Sequence, residues 1–131
     1  MKKITVLILF ILLINSSLVC AYELATEISN NDGKASTQEM LELLADSISE
    51  SYSIDRNDIS LNDPFHGGHI TRTYGNNPVP WIQVEMNRDL YLSKEWFDYE
   101  TLEVDNKRLS ALNQMFENTL TKFCRDGFKE G

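Results

Sequence analysis

Trp81-Ile82-Gln83-Val84-Glu85-Met86 decides how this chain is read. Successive side chains of a strand point to opposite faces, so Ile82, Val84 and Met86 share one side and Gln83 and Glu85 the other. A carboxylate projecting from the middle of an otherwise hydrophobic strand is costly unless it is paired or used. Asn87 to Leu92 continues into a short helix. Upstream, Gly75-Asn76-Asn77-Pro78 is a turn, and His69 to Tyr74 alternates as a strand, with Ile70, Arg72 and Tyr74 on one side. A further short strand covers Ile59 to Leu61 and stops at Asn62-Asp63-Pro64, because proline cannot donate to a ladder.

Helices flank these strands. Ser36 opens the first, with Glu39 at capping-box spacing and Leu41, Leu44, Ile48 and Tyr52 on one face. From about Asp105 a longer helix carries the stripe Leu109, Leu112, Phe116, Leu120 and Phe123. Strands between helices predict an α/β layer arrangement. Phe65 and Tyr91 read as core residues.

The start of the chain reads as a leader. Lys2 and Lys3 precede an apolar run from Ile4 to Ile14 broken only by Thr5, and Val19-Cys20-Ala21 has the form of a small-residue cleavage site. That pattern predicts a signal peptide over residues 1–21, cut after Ala21, and a secreted or periplasmic product. The run falls short of the ~20 residues a spanning helix needs, so no membrane partner is expected after cleavage. Residues 22–32 read as a polar linker, with Asn30-Asn31-Asp32-Gly33 as a turn, and residues 33–131 as the domain. Cleavage leaves Cys124 alone, which excludes an intrachain disulfide and assigns that thiol to packing.

The chain has 131 residues, 20 acidic and 12 basic, for a net charge of −8. Removing Lys2 and Lys3 leaves 10 bases against 20 acids, a charge of −10. No basic stripe is present to neutralise phosphates, so nucleic acid is excluded as a partner. There is neither a glycine-rich phosphate loop nor a GxSxG nucleophile elbow. His66 and His69 have a His-x-x-His spacing that can chelate. Zinc needs three or four ligands, however, and Gly67-Gly68 between the two makes a poorly preorganised site.

Two motifs carry a family resemblance. Asn62-Asp63-Pro64-Phe65-His66-Gly67-Gly68, followed by Tyr74-Gly75, resembles the NxPFxGG loop of the N-formylglutamate amidohydrolases. Gln83-Val84-Glu85-Met86-Asn87-Arg88, then Leu90-Tyr91, resembles their QxExNRxLY motif. Order and separation both fit, over about Gly33 to Arg125. The resemblance implies a partial α/β/α sandwich with a small mixed sheet, a truncated form of the zinc carboxypeptidase-like fold. It implies hydrolysis of the amide of an N-formyl or N-acyl acidic amino acid, with zinc as the family's cofactor. By motif position Glu85 is the general base, and Arg88, Gln83, Gly67 and Gly68 line the substrate site.

In the family the zinc ligands, two histidines and an acid, come from an upstream half with no counterpart here. The only histidines are His66 and His69, so this chain alone is not expected to hold zinc. Three readings stay open: an amidohydrolase completed by a second chain, an exported module that binds a small polar ligand without turnover, or a remnant. A half-sandwich is also expected to leave one apolar sheet face bare, predicting a homodimer across it.

Overall fold

The computed structural model describes residues 7–10 and 26–128. A four-stranded mixed sheet has the order β1-β4-β2-β3, from β1 (Leu7–Phe10), β2 (Thr26–Ser29), β3 (Ile59–Leu61) and β4 (Trp81–Met86). β4 runs parallel to β1 and antiparallel to β2, and β2 runs parallel to β3. Helix α1 (Gln38–Tyr52) makes the crossover from β2 to β3, since parallel neighbours need a long connection. After β4 come α3 (Asp89–Leu92), a hairpin of the two-residue strands β5 (Phe97–Asp98) and β6 (Glu103–Val104), and the long α4 (Asn106–Gly127). Helix α2 (His69–Tyr74) precedes β4.

The core forms on one face of the sheet. Ile28 of β2, Ile59 of β3, and Ile82 and Val84 of β4 meet Leu41, Leu44, Ala45 and Ile48 of α1 and the fully buried Phe123 of α4. Helices α1 and α4 pack against each other. Tyr52, at the end of α1, donates to the Leu112 carbonyl at 3.4 Å, while Gly127 lies beside Leu43. The two helices are therefore antiparallel, and the first turn of α4 overhangs the end of α1. That overhang leaves Leu109 exposed, although the stripe places it with Leu112 and Phe123.

Several expectations are corrected. Within the expected linker 22–32, Thr26–Ser29 is a wholly buried interior strand, hydrogen-bonded on both sides, and residues 22–25 lie outside the described residues. His69–Tyr74 is a helical turn and a half, with Arg72 N–H bonded to the Gly68 carbonyl and Gly75 N–H to that of Thr71. Helix α1 is capped by Thr37, whose hydroxyl accepts from the Met40 N–H at 3.2 Å; Ser36 lies outside, buried, with no partner for its hydroxyl. Cys124 is exposed on α4 and packs no core. Phe65 is also exposed.

Of the expected leader 1–21, only Leu7–Phe10 is described, as edge strand β1; the cleavage point after Ala21 lies outside the described residues. A continuous apolar run suits a parallel strand as well as a leader. Among the described residues no helix is long and apolar enough to cross a membrane. Across β2 and the second half of β4 the sheet face away from α1 is polar. It presents Glu27 and Ser29 from β2 and Gln83 and Glu85 from β4, covered in part by the 62–68 loop and α2.

Candidate active site

The polar face takes its form from strand register. Glu27 sits directly opposite Glu85 across the antiparallel β2–β4 ladder, and Ser29 opposite Gln83. Opposed residues in such a ladder have Cβ atoms about 4.5–5.5 Å apart, so two carboxyl groups face one another over one sheet rung. Glu27 is 8% exposed and Glu85 half-buried.

The Phe65–Gly68 segment is laid over this pair by hydrogen bonds. Phe65 N–H donates to Glu27 Oε1 at 3.1 Å, and Gly68 N–H donates to Gln83 Oε1 at 2.7 Å. Gln83 is buried and joins several groups: its Oε1 also accepts from the Thr71 hydroxyl at 3.3 Å, and its amide nitrogen donates to Glu85 Oε1. Gln83 thus orients the Glu85 carboxylate and fastens the start of α2 with the same side chain. The glycines have distinct reasons. Gly67 has φ +99°, a conformation that β-carbons disfavour, and a Cβ on Gly68 would stand 2.9 Å from Gln83 Oε1.

A second strut holds the loop's origin. Asn30 is fully buried at the end of β2, where its N–H donates to Asn62 Oδ1 at 2.9 Å. Asn30 Oδ1 accepts from Asn62 Nδ2 and from Gly33 N–H, each at 3.0 Å. Asn62 itself adopts φ +51°, which asparagine tolerates better than most residues.

Both carboxyl groups resist ionisation. Burial is the largest cause for Glu27, followed by the charge of Glu85; Asp63 adds to the effect, while the Phe65 N–H and His66 oppose it. Together they push Glu27 from 4.5 to about 7. Burial also raises Glu85, against which the Gln83 amide works. The Gln83 amide favours the charged form of Glu85, and the charge of Glu85 in turn disfavours a second one on Glu27. The face therefore holds two facing carboxyl groups that both keep protons to higher pH than ordinary carboxylates, an arrangement able to accept and return a proton.

The chain's fold and motifs are matched elsewhere. The family model for N-formylglutamate amidohydrolase matches residues 15–92, more than half of the chain. The chain belongs to the N-formylglutamate amidohydrolase family. That match reaches further upstream than Gly33, taking in β2, and stops before α4. A crystal structure of N-formylglutamate amidohydrolase from Ralstonia eutropha JMP134 is similar in fold, with a TM-score of 0.56 at 18% identity. The alignment covers 79% of this chain and 35% of that one, so this chain spans about a third of the length of that protein. No curated protein matches.

Against that family background, Glu85, Gln83, Gly67 and Gly68 come together as the motifs imply. The others do not. Arg88 is exposed at the start of α3, near Tyr91. The described ion pairs join neither Arg88 nor Arg72 to Glu85. His66 turns outward to Asp32, with Nδ1 2.8 Å from Oδ1, and His69 lies exposed on α2 with Nε2 3.5 Å from the Thr73 hydroxyl. Among the described residues no three His, Cys, Asp or Glu side chains gather as metal ligands, so they do not fit the family's zinc. Glu27 was not found from sequence. The only local signal is a pair of β-branched residues, Thr26 and Ile28, flanking it just ahead of a turn.

Proposed function

We propose that this chain acts in hydrolysis of the amide of an N-formyl or N-acyl acidic amino acid. Water adds to the acyl carbon and the C–N bond breaks, releasing the acid (formate, for the N-formyl substrate) and the free amine. Glu85 takes the proton of the attacking water and returns it to the departing nitrogen. Gln83 orients that carboxylate, and the Gly67-Gly68 backbone lets the substrate approach. The reading is supported above all by Glu85 lying under the Phe65–Gly68 loop, held by the same Gln83 amide that fixes Gly68.

A second reading, binding without turnover, rests on the same polar face, where Gln83 and the Gly67-Gly68 backbone can hold a small polar ligand. Formate release from N-formyl-L-glutamate by the full chain, compared with Glu85→Gln, separates the two. Catalysis predicts release that falls by about 10²-fold or more in the variant, the range for loss of a general base. A ligand-dependent rise in Tm without formate supports the binding module. Neither release nor a rise overturns both. The leader reading predicts export with a mature N-terminus at Tyr22, which N-terminal sequencing of the secreted product checks.

A further inference from the structure

We propose that Glu27 is the proton-holding partner of Glu85: the cross-strand pair carries one proton near neutral pH, and it resides on Glu27, keeping Glu85 a carboxylate. The inference rests on the proposed role of Glu85 and adds a positioning residue to it. Register places the two side chains opposite each other on the same face of neighbouring strands, where two full charges repel strongly in a half-buried setting. Each carboxyl accepts one described N–H, so burial breaks the symmetry: Glu27 is the more deeply buried of the two. Glu85 receives an amide N–H from Gln83, a side chain fixed at its own oxygen by Gly68 and Thr71. Glu27 receives one backbone N–H, from Phe65, through a single oxygen. Its second oxygen makes no described hydrogen bond, leaving it able to carry the proton.

The charged surroundings point the same way. On the β4 side Glu27 faces Glu85; from the covering loop it faces Asp63, which disfavours a second negative charge, and His66, which favours one. On the β3 side its rung neighbour is the uncharged Ser60. Burial and repulsion outweigh His66, which is itself exposed and paired with Asp32. The protonated Glu27 thus does two things. It removes a charge that would repel an acidic substrate, and it ties Phe65 over the pair.

Carboxyl titration by NMR of the full chain labelled with 13C at glutamate side chains tests this without requiring turnover. The wild type should show a late-titrating glutamate, with its midpoint at about 7, assigned by its loss in Glu27→Gln. In Glu85→Gln that midpoint should fall by about one unit, the scale of a neighbouring like charge. In Glu27→Gln the Glu85 midpoint should stay within a few tenths of a unit, since on this proposal Glu27 is uncharged while Glu85 titrates. A Glu27 midpoint unchanged in Glu85→Gln overturns the proposal, as does a late titration that belongs to Glu85. Glu85→Ala repeats the measurement should the glutamine variant misfold. Loss of formate release with the titration pattern intact would count against the proposed hydrolysis and leave the pairing standing.

Discussion

Replacing Glu27 with glutamine removes a titrating charge while keeping the side chain's shape and an oxygen for the Phe65 N–H. The consequence is a change in how stability depends on pH. In the folded chain Glu27 keeps its proton up to about 7, whereas its ordinary value is 4.5. Between those values the folded state binds a proton that the unfolded state has released, so stability falls as pH rises. The contribution is complete below 4.5 and gone once the pH has passed through about 7. Each pH unit in that window is worth about 1.4 kcal/mol, giving a ceiling of about 3 kcal/mol. Water reaching the half-buried Glu85 beside it reduces the working expectation to about 1.5 kcal/mol. Glu27→Gln has no such loss. Its Tm relative to wild type should therefore rise between pH 5 and pH 8 by about 6–12 °C, at about 4–8 °C per kcal/mol for a small domain. Thermal melts followed by circular dichroism at half-unit pH steps measure this. Parallel Tm profiles for the two proteins would refute a shifted, buried Glu27.

Other perturbations read the same framework. Gln83→Leu leaves the Gly68 N–H and the Thr71 hydroxyl without their acceptor; urea titration should show a loss of about 1–3 kcal/mol, and the Glu85 midpoint should move further up in a carboxyl titration. Thr37→Ala should cost about 1 kcal/mol as a lost helix cap, while Ser36→Ala, whose hydroxyl is buried without a partner, should cost nothing or stabilise; equal losses would contradict the capping assignment. Phe123→Ala, which empties the centre of the core between α1 and the sheet, should lower the urea-derived stability by about 3–5 kcal/mol.

The strand Trp81–Met86 and the helices α1 and α4 were legible because their hydrophobic spacing is long enough to show a period. So were the loop glycines and Glu85, through the two motifs. His69–Tyr74 was misread for a physical reason. Six residues make too short a helix to show periodicity or to stand alone, and Ile70, Thr71 and Thr73 are β-branched. What makes this segment helical is Gln83, which fixes both Gly68 and Thr71 from a strand twelve or more residues away. β2 was missed because it is only four residues long and polar at three of them. Its Glu27 and Ser29 face the site rather than water, so polarity there signals function and not exposure. Cys124 and Leu109 went astray because a helical stripe does not reveal where its partner helix ends.

One property of the sheet bears on biosynthesis. β1, the flank of β4 opposite β2, lies within the stretch that export would remove. A chain trimmed after Ala21 therefore exposes the outer hydrogen-bonding edge of the very strand that presents Glu85. Open edges recruit further strands. Were export to trim the chain there, the precursor and the trimmed form would differ in how prone they are to add a strand beside Glu85, from the same chain or from another.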